Sequence, residues 1–535
     1  MARIAVVIAL VWLASAPVTG AQDDPDLRIG LELYAAGKYE MALGSFRAVI
    51  EARPDKPAAS VAAGRCLIAL GRTAEAIECL VRAASPGEPS AELSSVLGQA
   101  YYWSGLQHLA DDPSEESRSV AQARLSSAVD SLNRAVAAAP DADEALYFLG
   151  RTRLQSGAEG AAAAEKALAR AVQLKPDQPS YREQLGEALL WLGRFPEAAA
   201  AYRKAAELAG AEFQSFRRQC LVRAGQCHGL GGDAASAEAD FRAAFELGPE
   251  DTSLFLALWE VYATDADRYD DGIRILEALA VARRDAALPR YYLGFLQKTK
   301  GDHPAARRAL EACLETAAGK AFPEAWARVA EYLYHDDGNE AEAARYCQRA
   351  LGLDAQNETA YGLLQGMVSR RYAAGEWVEA ESLTRRLLDA RPSSGLEWSN
   401  LGLFLTNQRR YKEAWWAYEK ALQYEPDRPD ILYAAGGLLY FYSFPLDRPR
   451  DKARELLERA LELAPDNLDA MENLGILCLE RGELERAREL LQTVVEYDPG
   501  RGVAMRELNK TLHALRTRAV GPGATVGPGE EPDRK

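Results

Sequence analysis

Along most of the chain, apolar residues return every three or four positions in stretches of a dozen or so, broken by Gly, Pro, Asp and Asn. That spacing places them on one face of a helix. Runs that alternate with period two are scarce, so the pattern predicts helices throughout and no sheet. The stretch from Trp398 to Pro426 shows the unit most clearly. Trp398, Leu401 and Leu405 fall at i, i+3 and i+7, one face of a first helix. Gly402 and Ala414 carry little side-chain bulk, which lets two backbones approach, and Tyr418, four places after Ala414, fills the space beside them. Pro426 cannot continue a helix and closes the unit. A lone hairpin of this size would leave one apolar face wet, so it needs neighbours.

The small residue at Ala414 has counterparts along the chain: Ala42, Ala76, Ala128, Ala164, Ala198, Ala237, Gly272, Ala306, Ala343, Ala380, Ala453 and Ala487. Five of the twelve successive intervals equal 34 residues. Four places later stands a large residue in nearly every copy, from Phe46 and Leu80 to Leu457 and Leu491, with Cys347 and Thr384 as departures. A Leu-Gly pair marks the first helix at Leu97-Gly98, Leu149-Gly150, Leu185-Gly186, Leu293-Gly294, Leu401-Gly402 and Leu474-Gly475. Thirteen copies are expected over residues 22–500.

In its Trp-x2-Leu-Gly opening, its Ala-x3-Tyr second helix and its closing proline, the copy at Trp398 resembles the tetratricopeptide repeat. The resemblance implies an all-α, right-handed superhelical solenoid of stacked antiparallel helix hairpins, with first helices lining a concave side along which peptides lie extended. Two copies break the period. The interval from Ala76 to Ala128 is 52 residues, around Asp111-Asp112-Pro113-Ser114-Glu115-Glu116, which predicts longer helices in repeat 3 and a projecting charged loop. Repeat 12 is lengthened around Ser443-Phe444-Pro445, after the aromatic run Tyr440-Phe441-Tyr442.

Outside the array, residues 1–21 have the form of a signal peptide: Arg3, an apolar run from Ile4 to Ala16, and the small-residue site Thr19-Gly20-Ala21. The run is too short for a stable membrane span, so the chain is expected to be exported, periplasmic or secreted. Residues 501–518 carry Val503, Leu508, Leu512 and Leu515 at helical spacing beside Arg506, Lys510 and His513, a helix suited to cap the open end. Residues 519–535, rich in Gly-Pro, are expected to form a disordered tail.

Composition narrows the function further. With 63 Lys+Arg against 79 Asp+Glu the formal charge is −16, which argues against a phosphate-binding surface and so against a nucleic-acid partner. The seven cysteines include no Cys-x2-Cys pair, which excludes the usual zinc spacings. Cys220 and Cys227 lie on one predicted helix, roughly 10 Å apart along its axis, too far for a disulfide. His108, His228, His303, His335 and His513 are scattered with no metal-ligand spacing. The glycines from Gly225 to Gly232 lack a following Gly-Lys-Ser/Thr, which leaves a hairpin turn as their reading. No stretch remains for a catalytic domain, so no catalytic residue, cofactor or metal is expected.

These features describe a non-catalytic scaffold that binds a protein or peptide. The alternative is a structural or docking component of a cell-envelope machine, in outer-membrane assembly or polysaccharide export. Projecting the first helices inward nominates Tyr102, Trp103, Trp191, Tyr291, Phe295, Tyr433 and Tyr440 as groove aromatics, residues that would otherwise pack between hairpins. In the O-linked N-acetylglucosamine transferase superhelix, a relative of this repeat family, an asparagine two places before the glycine bonds ligand backbone. Asn400 and Asn473 match that place; local hydrogen bonding is their other use.

Overall fold

The computed structural model describes residues 27–54, 56–84, 89–111, 114–446 and 450–520. Among them every regular element is an α-helix, apart from one 3-10 turn at Ala266–Arg268. The fold is an all-α stack of helix hairpins. It divides into two compact units, one reaching to Arg284 and including Phe295–Asp302, the other made of Asp285–Gly294 and the chain from His303 onward.

One contact closes hairpin after hairpin. In the pair Gly395–Asn407 and Tyr411–Tyr424, a Cβ on Gly402 would stand 2.8 Å from the Tyr418 ring. The same glycine-on-large-residue contact joins Gly30 to Phe46, Gly64 to Leu80, Gly98 to Leu132, Gly150 to Leu168, Gly186 to Tyr202, Gly225 to Phe241, Gly294 to Leu310, Gly436 to Leu457 and Gly475 to Leu491. The small residue four places before each large one is wholly buried, as at Ala42, Ala128, Ala237, Ala414 and Ala487. A side chain in place of the glycine would displace the ring or branched methyls that fill this point, and with them the crossing of the two helices.

The turn between the two helices needs a left-handed residue. Glycine supplies it at Gly37, Gly71, Gly157, Gly193, Gly232, Gly301, Gly338, Gly375 and Gly482. In the hairpin closest to the repeat pattern the place is held by Arg409, with φ 63, the only non-glycine of positive φ among the described residues.

The interval that stretches from Ala76 to Ala128 contains helices Ala91–Asp111 and Glu115–Ala138, of 21 and 24 residues. Gln107 braces the extension by donating from Nε2 to the Gly71 carbonyl at 2.9 Å. Ser117 Oγ donates to the His108 carbonyl at 2.8 Å, tying the two helices together near their turn. Cys220 and Cys227 share helix Gln214–Leu230, and Gly231-Gly232 form the turn that follows it. The last helix, Gly502–Val520, packs Ala504 and Leu508 against Leu491 and Val494 and runs to the second residue of the stretch expected as tail. The leader-like segment, the rest of that tail and residues 447–449 lie outside the described residues, while Ser443-Phe444-Pro445 fall at the end of helix Pro429–Leu446.

Arg409→Gly is expected to raise stability by about 1 kcal/mol, since a left-handed conformation costs an L-residue roughly 1–2 kcal/mol that glycine avoids. Gly402→Val is expected to lower it by about 1–3 kcal/mol through overpacking against Tyr418. Chemical denaturation midpoints of the two variants check both signs.

Candidate partner-binding face

The residue directly after the hairpin glycine lies off the face that meets the second helix, because one residue turns an α-helix by about 100°. In the first unit this place is Leu31 in the first hairpin and long and polar in the next five: Arg65, Gln99, Arg151, Glu187 and Gln226. Stacking brings these side chains together with others of the same face. Arg65, on Pro57–Ala69, donates from Nη1 and Nη2 to the two Glu144 carboxylate oxygens at 3.4 and 3.1 Å, and its Nη2 lies 3.7 Å from Glu92. Tyr181 donates its hydroxyl to Asp143 at 2.7 Å and stacks its ring on Tyr147 at 4.6 Å.

The guanidinium of Arg151 lies over four rings, those of Tyr102, Trp103, Tyr147 and Phe148, at 5.1, 5.5, 5.4 and 5.8 Å from their centres. Such faces attract a cation through their quadrupoles. Beyond it, burial lifts the Glu183 carboxyl above the usual carboxylate range, against the pull of the Gln184 amide that donates to it at 2.6 Å and of Arg151. Glu187 accepts from the Tyr202 hydroxyl at 2.7 Å, Arg223 donates to Gln226 at 3.0 Å, and Gln226 donates to Glu260 at 2.9 Å. From Arg65 to Glu260 this face is occupied by the chain's own polar and aromatic side chains.

The nominated residues divide accordingly. Tyr102 and Trp103 are buried around Arg151. Trp191 is 50% exposed and lies beside Gly157. Tyr291 is buried edge-on against Phe322 in the second unit, and Phe295 packs edge-on against Trp259 in the first. Tyr433 is half-buried against the Leu432, Leu438 and Leu474 core. Tyr440 is buried and donates its hydroxyl to Glu480 at 3.0 Å. Its neighbour Phe441 is 60% exposed, and the helix kinks at Tyr442, whose ring stacks on Tyr411 at 3.9 Å.

Further along the second unit the place after the glycine turns small or apolar: Leu403, Gly437 and Ile476. The two asparagines differ. Asn400 is half-buried and donates to Glu397 at 3.4 Å, the local use. Asn473 is 9% exposed, and its amide nitrogen stands 3.6 Å from where a Cβ on Gly437 would be. No side-chain hydrogen bond engages Asn473 among the described residues.

Nucleophilic and metal chemistry finds little support on these surfaces. Burial pushes the thiols of Cys66, Cys227 and Cys347 up to about 12, where a thiolate is scarce at neutral pH. His228 is engaged by Asp240 through Nδ1 at 2.7 Å. Among the described residues no three His, Cys, Asp or Glu gather as a metal site, and no helix is long and apolar enough to cross a membrane.

The family model of the tetratricopeptide repeat matches residues 27–91, 158–212 and 450–508, which hold the Gly30–Phe46, Gly64–Leu80, Gly186–Tyr202 and Gly475–Leu491 contacts. The chain is a tetratricopeptide-repeat protein. It is 26% identical over 488 residues to cellulose synthase operon protein C of Xanthomonas axonopodis pv. citri (strain 306), across 87% of this chain and 31% of that protein. It is 27% identical over 160 residues to the CTR9 homolog of Arabidopsis thaliana, across 29% of this chain and 14% of that one. The chain thus spans under a third of the length of these curated relatives. Among solved structures it is similar to TTC0263, a thermophilic tetratricopeptide-repeat protein of Thermus thermophilus, at 28% identity over 37% of this chain and 96% of that one, with a TM-score of 0.32. A tetratricopeptide-repeat fold supports a protein-interaction role.

Arg65, Glu92, Glu144, Arg151 and Glu183 are not aromatic and were not among the nominated residues. For Arg65 and Arg151 the sequence carries a periodic signal, a long polar residue directly after the helix glycine in five hairpins of the first unit.

Two outcomes follow from the charges and thiols. Burial raises the Glu92 carboxyl although Arg65 pulls it down. A carboxyl with a higher pKa folded than unfolded favours the fold most when protonated, so its contribution falls as pH rises from the unfolded value through the raised one. Glu92→Gln is therefore expected to match the wild type in acid and to be the more stable at neutral pH, by denaturation midpoints measured against pH. In thiol labelling of the native protein only the half-buried Cys79 is expected to react, the other six responding after unfolding.

Proposed function

We propose that this protein is a non-catalytic scaffold that acts outside the cytoplasm and binds an extended protein segment on the first-helix face of its C-terminal hairpins. One observation carries the reading. Asn473 keeps an unengaged amide, nine-tenths buried, facing the bare backbone at Gly437. A peptide group that reached this amide would find both a donor and an acceptor. Gly437 removes the side chain that would hold such a backbone away, and Tyr433 and Phe441 flank the place on the same helix. The leader-like residues 1–21 support action beyond the cytoplasm.

A second reading makes the chain a docking or spacer component of an envelope machine that exports polysaccharide. It is favoured by the similarity to cellulose synthase operon protein C, which runs along 87% of this chain. The two readings differ in the stability and stoichiometry of the complex.

Photo-cross-linking from position 433 in the native host, with the attached protein identified by mass spectrometry, tests both. Exchangeable peptide-like partners support the first reading, and one envelope protein retained at fixed ratio through purification supports the second. Asn473→Ala is expected to weaken capture about fivefold, the loss of roughly one net hydrogen bond. Gly437→Leu is expected to abolish it with the melting temperature unchanged, and capture that survives Gly437→Leu would place the partner on another face.

A further inference from the structure

In a stacked array, each hairpin ordinarily touches only its neighbours, so the stack can open at one interface without disturbing the next. Arg65 departs from that rule. It belongs to helix Pro57–Ala69, while Glu144 opens helix Asp143–Leu154, 79 residues away and beyond the whole long hairpin of Ala91–Asp111 and Glu115–Ala138. On its way the guanidinium passes Glu92 of the intervening hairpin, at 3.7 Å.

We propose that Arg65 is a strap: through one bidentate ion pair it couples the second, third and fourth hairpins into a single block that opens and closes as a unit. The physical ground is the penalty for a stranded charge. The Arg65 side chain is 7% exposed, and its fork meets both Glu144 oxygens. Opening the stack on either side of the intervening hairpin separates the partners and leaves one or both charges incompletely solvated. Two interfaces that would otherwise fluctuate independently thus share one cost. The pair need not add net stability relative to apolar side chains of the same shape; what it adds is coupling. A lysine could not replace it, since a point charge lacks the planar fork that spans two carboxylate oxygens. The proposal concerns the first unit alone and does not depend on where a partner binds.

Hydrogen exchange measured by mass spectrometry on the full chain tests it, with the wild type, Arg65→Met, Glu144→Gln and the double variant. The expected result for Arg65→Met is exchange about tenfold faster at the amides of helix Asp143–Leu154, where no residue was changed, with helix Gly395–Asn407 unaffected. Glu144→Gln is expected to produce the reciprocal acceleration in helix Pro57–Ala69, and the double variant to exceed neither single one. Acceleration confined to the mutated hairpin and its immediate neighbour would overturn the proposal, as would effects of the two substitutions that add. Should Arg65→Met fail to fold, Glu144→Gln alone decides by the same criterion, since it keeps shape and hydrogen-bonding capacity and removes only the charge.

Discussion

The close approach of two helices at a glycine is the constraint on which the structure rests. A ring or branched side chain from the second helix occupies the volume a Cβ would need, and a wholly buried small residue one turn earlier lets the backbones come near enough for that to happen. Fixing this point sets the crossing of the pair, and the crossing decides which residues of the first helix face away from its partner. The proposed binding surface stands on that remaining face.

Seen from that face, the two units differ in how they dispose of the same position. Where the first unit places arginine, glutamine or glutamate after its glycine, side chains reach carboxylates of other hairpins, as Arg65 reaches Glu144 and Gln226 reaches Glu260. Where the second unit places leucine, glycine or isoleucine, the backbone is approachable and the Asn473 amide has no side-chain partner among the described residues. Buried polar groups held in mutual pairs resist rearrangement, and bare backbone invites a partner.

The aromatic residues illustrate why residue type alone is a weak guide to exposure in a repeat array. Tyr102 and Trp103 have the character of a groove lining, yet they surround a guanidinium supplied by the next hairpin. Phe441 is exposed beside a helix kink, while Tyr440, one residue earlier, is buried. A ring that can bind a partner can equally bind a neighbouring repeat, and the nearest available surface is the neighbouring repeat.

By itself the sequence determined the helical period, the hairpin and the closing contact of Gly402, Ala414 and Tyr418, because all of these rest on spacings within some forty residues. It also marked Asn473 as one of two asparagines worth weighing against Asn400. Only the tertiary structure decided that Asn400 is engaged by Glu397 while Asn473 faces an empty glycine, and that Arg65 reaches Glu144 across a whole hairpin. The last two depend on how one hairpin is rotated on the next, a quantity set by the sum of many small packing contacts and written in no single motif.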